Sequence, residues 1–177
     1  MKQNKDIKIL ILGGGFGGIY TLLHLRKALK KEKNIYVTLV NRENFFLFTP
    51  FLHEVATGGI ETRHIAYPIR QINNWQNFRF IHGEVTSIEL EQRKAFLGEQ
   101  ALDYDYLILA LGNVPDLLPK PLSNGNVFTL KTLSDGMFLR NHIIHMFETA
   151  DAEPDIERKN CLLTFLVVGG GSTGVQL

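Results

Sequence analysis

The sequence predicts an α/β fold: a parallel sheet with crossover helices, a small antiparallel meander, and the truncated start of a second unit of the same kind. Three observations carry this. The apolar run Ile7–Leu12 leads through glycines into an amphipathic stretch and then a second apolar run at residues 35–40. Residues 104–111 form a further apolar run that ends at Gly112. Residues 161–168 form another, and it too enters a glycine turn. Short apolar, β-branched runs between turn signals read as buried parallel strands.

The elements follow in order. Residues 19–30 carry Ile19, Leu22, Leu23, Leu25 and Leu29 at helical spacing. Lysines gather at the end of that helix, where they complement its dipole. Strand, helix and strand make one βαβ unit with a right-handed crossover. Residues 41–59 read as an aromatic-rich loop and 65–72 as a short helix. Residues 78–81, 85–90 and Lys94–Leu97 read as short strands. Pro115, Pro119 and Pro121, with Ser123, Asn124 and Gly125, mark a linker. Residues 132–149 read as a long amphipathic helix, 151–160 as a charged loop and 161–168 as the last strand. Cys161 opens that strand and reads as a small buried hydrophobe. The helix expected after it has barely begun, so the sequence reads as a fragment.

Composition narrows the function classes. The chain's 177 residues are enough for one domain and the start of a second. Its net charge of +1 gives no electrostatic case for nucleic acid. A single cysteine rules out an internal disulfide, a paired-cysteine redox centre and a cysteine metal cluster. It fits a reducing compartment. No apolar stretch is long enough to span a bilayer or form a signal-peptide core. Action at a membrane would be from its surface.

Gly13, Gly15 and Gly18 match G-x-G-x-x-G, and they stand where that pattern has meaning: after a strand, opening a helix, ahead of a second strand. The first glycine permits the tight turn. The second lets backbone approach a pyrophosphate, and the third lets helix pack on strand. The pyrophosphate would meet the unpaired N–H groups of the helix N-terminus. This makes a Rossmann-like dinucleotide-binding unit; the alternative is a tight turn without a ligand. The residue that closes the second strand usually holds the adenosine ribose with a carboxylate. Here it is Asn41, with Glu43 as a nearby substitute. Gly169, Gly171 and Gly174 repeat the pattern after the last expected strand. Two such turns could hold two dinucleotides, or the second could be an ordinary glycine turn.

The segments ILGGGFGGIYTLLHL, VTLVNRENFFLFTPFLHEVATGGIE, YDYLILALG, FTLKTLSDGMFLRNHI and LTFLVVGGGSTGVQL, in that order, resemble the type II NADH:quinone oxidoreductases, or alternative NADH dehydrogenases. These flavoproteins lie within the FAD-dependent pyridine nucleotide-disulfide oxidoreductase superfamily. The resemblance covers nearly the whole chain. It implies an FAD-binding domain over residues 1–122, a connecting helix and linker over 123–160, and the start of an NADH-binding domain over 161–177. It also implies that the last part of the FAD domain and a membrane-attaching amphipathic region would follow. The cofactor would be FAD, the substrates NADH and a membrane quinone, and the assembly a homodimer. The parent would sit peripherally on the cytoplasmic face of the inner membrane.

By the same resemblance, Gly13, Gly14, Gly15, Phe16, Gly17 and Gly18 would cradle the FAD pyrophosphate, and Asn41 and Arg42 would lie by the adenosine. Thr49 and Pro50 would approach the isoalloxazine ring, and Val85 would meet the adenine through its backbone. Ala110 and Gly112 would pack along the FAD. Gly169, Gly171 and Gly174 would take the NADH pyrophosphate. Family members often carry glutamate near the nicotinamide and quinone pockets where this chain has Gln176, which cannot act as a carboxylate base.

Other features have plainer readings. Phe45, Phe46, Phe48 and Phe51 read chiefly as packing, with Pro50 biasing Thr49 toward an extended ribbon across the pocket. His53 and Glu54 read as plain loop residues, because flavin hydride transfer does not require a general base, with a general-base role as the alternative. His142, His145 and Glu148 lie at i, i+3 and i+6 but lack the further ligand a metal needs. Lys27, Lys30, Lys31 and Lys33 read as a solvated helix end. Two alternatives stand beside the quinone-reductase reading: a soluble NAD(P)H-dependent flavoprotein reductase, and an FAD-binding module without activity of its own. As a fragment, the isolated chain is expected to bind FAD weakly and to oxidise NADH poorly or not at all.

Overall fold

The structure, a computed structural model, describes residues 5–72, 75–114 and 126–177. It divides into two compact units, Met1–Leu47 with Ala66–Asn113, and Phe48–Ile65 with Val114–Leu177.

The first unit is built on a four-stranded parallel sheet. Its strands are β1 (Ile7–Leu12), β2 (Ile35–Asn41), β5 (Phe78–His82) and β9 (Tyr106–Leu109), in the order β5-β2-β1-β9. Helix α1 (Phe16–Ala28) joins β1 to β2 and packs on both. Alternation assigns the faces. Leu10, Leu12 and Val40 point into a cluster with Ala95 and Tyr104. Ile11 lies on the opposite face, close to Gly18 of α1. The cluster is roofed by an antiparallel meander, β6 (Ser87–Glu89), β7 (Lys94–Leu97) and β8 (Gln100–Asp103). Both sheet faces are thus covered, which is why the later parts of these strands, Ile9–Leu12 of β1 and Leu39 and Val40 of β2, are apolar without alternation.

The buried hydroxyl of Tyr104 has no hydrogen-bond partner among the described residues. An unsatisfied buried donor costs about 1–3 kcal/mol. Tyr104→Phe, which keeps the ring and drops the hydroxyl, should leave the urea unfolding midpoint unchanged or raise it. A clear loss of stability would show that the hydroxyl is satisfied.

A polar clasp closes the start of the sheet. Asp105 Oδ2 accepts the Lys8 N–H at 2.8 Å, and the Asp105 N–H donates to the Lys8 carbonyl at 2.9 Å. Lys5 Nζ stands 3.7 Å from Asp105 Oδ1. The Lys8 N–H holds the Asp105 carboxyl below the usual carboxylate range, with the Lys5 charge helping and desolvation opposing. A depressed folded pKa gives stability that is present above the unfolded value, about 4, and lost as pH falls through the folded one. Asp105→Asn should therefore weaken the fold at neutral pH and flatten its acid dependence below pH ~4. Matched unfolding curves at neutral and acid pH check this; parallel curves for variant and parent would contradict it.

Five sequence expectations need correction. Residues 65–72 do not form one helix. They split into β4 (Ala66–Pro68), paired antiparallel with β3 (Phe45–Leu47), and the short helix α3 (Ile69–Ile72). Pro68 disfavours the helical region for Tyr67 before it, so the segment stays extended and pairs. The expected aromatic loop accordingly begins with a strand. Residues 151–160 are not simply a charged loop. Asp155 caps helix α5 (Ile156–Leu162) by accepting the Glu157 N–H at 3.0 Å. Cys161 lies on that helix and is exposed, not buried. The expected last strand is also absent: residues 163–171 carry no strand, and no described strand pairs with them. A strand exists only through ladder hydrogen bonds. The linker expected around Pro115 to Gly125 falls outside the described residues.

In the second unit, helix α2 (Leu52–Ala56) packs on helix α4 (Leu133–Ala152), with α5 also against α4. Gly136 makes the α2 contact close: a Cβ there would lie 3.2 Å from Leu52 and 3.4 Å from Val55. Thr132 starts α4 with a capping box. Its hydroxyl accepts the Asp135 N–H at 3.1 Å, and Asp135 Oδ2 accepts the Thr132 N–H at 2.8 Å. Among the described residues no helix is long and apolar enough to cross a membrane.

Candidate functional site

The first unit gathers most of the expected residues at the C-terminal edge of its sheet, where parallel α/β folds bind ligands. Gly13 follows β1 and donates its N–H to the Val40 carbonyl at 2.8 Å. Its φ of +108° lies where L side chains are strained, and a Cβ there would collide with the Ala110 carbonyl oxygen. Ala110, just after β9, is fixed by its N–H to the Leu12 carbonyl at 2.8 Å. Gly18 faces the Gly13 carbonyl so closely that a Cβ would overlap it. These two glycines draw helix α1 down onto the end of β1. Gly17 stands beside them, its missing Cβ 3.4 Å from that of Ala110.

Gly15 differs in kind. It is the N-cap of α1, in ordinary extended geometry, and a Cβ there would meet nothing among the described residues. No internal contact requires glycine here, so what it leaves is open approach to backbone N–H groups. The helix has no side-chain cap and no acidic residue in its first turn. An uncapped helix N-terminus beneath an open glycine fits a pyrophosphate. The residues present therefore suit the pyrophosphate end of a dinucleotide such as FAD. Phe16 flanks the turn, its ring edge-on to Phe46 at 5.1 Å and stacked on Tyr20 at 6.0 Å.

Asn41 ends β2 beside the turn. Its Oδ1 accepts the Gly14 N–H at 2.7 Å, and its Nδ2 donates to the Glu43 carbonyl at 2.9 Å. Arg42 is exposed and pairs with Glu43 at 4.0 Å and Glu84 at 3.9 Å. Val85 packs on the meander cluster, and Gly112 lies beyond Ala110 at φ +74°. The Arg42–Glu84 pair was not evident in the sequence, because it joins two strand ends that only the fold brings side by side.

The second unit holds the rest. Thr49 and Pro50 begin a 3-10 turn, Thr49–Phe51, rather than an extended ribbon. Proline suits the first turn of a helix because the N–H it lacks would have no intrahelical partner there. Both residues are exposed, and Phe48 and Phe51 pack ring to ring at 5.1 Å behind them. His53 lies on α2, not in a loop, with Nε2 3.6 Å from Glu54 Oε1. His142 packs against Phe128 at 4.6 Å.

The second glycine turn repeats the first in detail. Gly169 has φ +121°, and a Cβ on Gly174 would overlap the Gly169 carbonyl. Gly171 caps helix α6 (Ser172–Gln176) in extended geometry with open space beside it. Gln176, exposed, closes that helix. It departs from the first at Gly169 and Gly170, where nothing among the described residues stands in the places that Ala110 and Asn41 take beside Gly13 and Gly14.

Comparison with known proteins agrees with this geometry. The chain is 33% identical over 182 residues to the external alternative NAD(P)H-ubiquinone oxidoreductase B4, mitochondrial, of Arabidopsis thaliana, covering 96% of this chain and 30% of that protein. It is 28% identical over 176 residues to the type II NADH:quinone oxidoreductase of Staphylococcus aureus, covering 99% of this chain and 43% of that protein. The chain thus spans well under half the length of these relatives. The solved structure of NDH2 from Plasmodium falciparum in complex with RYL-552 superposes with a TM-score of 0.80 at 28% identity, over 97% of this chain and 36% of that one. The sequence pattern of the pyridine nucleotide-disulphide oxidoreductases matches residues 7–177, and the chain belongs to that family.

Proposed function

We propose that this chain carries the FAD cradle of an NADH:quinone oxidoreductase of the type II class. The observation behind this is the pair Gly13–Gly18, which closes the turn, around Gly15, which leaves it open. In this reading residues 1–122 belong to the FAD-binding domain, 123–160 connect, and 161–177 open the NADH-binding domain.

Each residue then has a physical task. Gly15 and the first turn of α1 present N–H groups to the pyrophosphate, and the glycine keeps the approach clear. Ala110 and Gly112 line the edge along which the cofactor would lie. Val85 and Arg42 stand at neighbouring strand ends, where the adenosine would reach. By the family resemblance, Thr49 and Pro50, an exposed turn stiffened by the proline, would approach the flavin. Gly169, Gly171 and Gly174 would do for NADH what the first turn does for FAD. Gln176 can hydrogen-bond but cannot take up a proton as a carboxylate would, so it orients rather than relays. When bound, FAD supplies the redox chemistry, taking two electrons from NADH and passing them to the quinone. The lone exposed Cys161 has no part in that. Quinones dissolve in lipid, so the parent enzyme would work at a membrane surface, and the family resemblance implies a peripheral place on the cytoplasmic face of the inner membrane.

A second reading has one observation in its favour: the second turn is preceded by residues that form no strand. In that case the chain is an FAD-binding module without turnover. Anaerobic mixing of the FAD-loaded protein, produced at the full length of its relatives so that the NADH-binding domain is present, with NADH and then with a soluble ubiquinone analogue separates the readings. The oxidoreductase reading expects the flavin band to bleach with NADH and return with quinone. Bleaching without return removes the quinone step and favours a soluble reductase. A flavin reduced by dithionite but not by NADH leaves only the module.

A further inference from the structure

We infer that Asn41 is a positioning residue that clamps the glycine turn, serving the adenosine dinucleotide through Gly14 rather than by holding its ribose. The inference rests on the FAD reading above. The protein itself engages both ends of the Asn41 amide. Oδ1 accepts the Gly14 N–H at 2.7 Å, and Nδ2 donates to the Glu43 carbonyl at 2.9 Å. One side chain thus ties the turn after β1, the end of β2 and the loop that leaves β2.

The fit is tight on the Gly14 side. A Cβ on Gly14 would lie 2.7 Å from Asn41 Cγ and 2.8 Å from Nδ2, with Ile69 Cδ1 also at 2.8 Å. Gly14, like Gly17, stands at a position that G-x-G-x-x-G leaves free, and here the amide fills the space its missing side chain opens. The backbone either side of Gly15 is therefore held in place before a ligand arrives. Less ordering is left for the ligand to drive, which favours affinity.

The amide is specific to the task. A carboxylate at this position would still accept from Gly14, but its other oxygen would face the Glu43 carbonyl, two acceptors with no proton between them. Rossmann units that read the ribose directly use an acid at this strand end. This chain instead has a group that must both accept and donate. The carboxylates left at this edge, Glu43 and Glu84, are both paired with Arg42.

The two roles predict opposite signs for Asn41→Asp. If the side chain held the ribose, the acid should tighten FAD binding. As a clamp it should loosen it, about tenfold for one lost hydrogen bond of roughly 1–1.5 kcal/mol. The test titrates FAD against the parent chain, Asn41→Asp and Asn41→Ala by flavin fluorescence. In parallel, NMR follows amide hydrogen exchange at Gly14 and at Leu10 and Leu39 in the core strands. The clamp expects a protected Gly14 amide in the parent and in Asn41→Asp, and loss of that protection in Asn41→Ala with Leu10 and Leu39 unchanged. It expects weaker FAD binding in both variants. Tighter binding by Asn41→Asp, or Gly14 protection that survives Asn41→Ala, overturns it. So does strand protection that falls together with Gly14, the mark of a packing role alone. If the parent shows no saturable FAD binding, the FAD reading fails, and the Gly14 exchange still decides the clamp.

Discussion

Gly13→Ala should destabilise the protein by about 3 kcal/mol or more and abolish FAD binding. Two penalties act together. The backbone at φ +108° is strained for any L side chain, at about 1–3 kcal/mol, and the added methyl strikes the Ala110 carbonyl. Neither atom group can retreat cheaply. Gly13 is fixed by its bond to Val40 and Ala110 by its bond to Leu12, both at 2.8 Å. Overpacking of this kind adds about 1–3 kcal/mol. Gly18→Ala should do comparable damage, since its Cβ would overlap the Gly13 carbonyl. Urea unfolding followed by circular dichroism checks both, and a midpoint like that of the parent in either variant would contradict the geometry.

Gly15→Ala should behave in the opposite way: a nearly normal fold that binds FAD poorly. The residue caps α1 in extended geometry and its Cβ would meet nothing among the described residues. Replacing glycine with alanine at an N-cap costs a few tenths of a kcal/mol to about 1 kcal/mol. The methyl would instead stand where the pyrophosphate must approach, costing roughly 1–3 kcal/mol of binding, or about ten- to a hundredfold in affinity. The pair of variants separates folding from binding within one turn. Equal loss of stability in Gly13→Ala and Gly15→Ala would mean that all the glycines serve the fold.

Much of the first unit was legible in the sequence, and the reason is local. Ile7–Leu12, the glycine turn, α1 and β2 are each specified by their own residues, and their order leaves one sensible topology. Helix α4 was legible from its spacing, and Thr132 with Asp135 marks its start to the residue. Several of the failures came where pairing decides the outcome. β3 and β4 exist because Phe45, Phe46 and Leu47 find Pro68, Tyr67 and Ala66 across the sheet. β8 went unseen because Gly98-Glu99 is a weaker hairpin signal than Asn-Gly. Residues 164–168 have the apolar character of a strand, but no described strand lies beside them. The site divides in the same way. The closing roles of Gly13 and Gly18 and the openness at Gly15 follow from the motif. The partners of Asn41 do not, because its amide could face either a ribose or the glycine loop until the fold fixes its direction.

The central claim is that the first glycine turn is an FAD cradle, and titration of the parent chain and Gly15→Ala with FAD, read by flavin fluorescence, tests it most directly. The account predicts saturable one-to-one binding by the parent, weakened at least about tenfold in the variant, with both proteins folded. No saturable binding by the folded parent, or equal affinity in the two proteins, would contradict it.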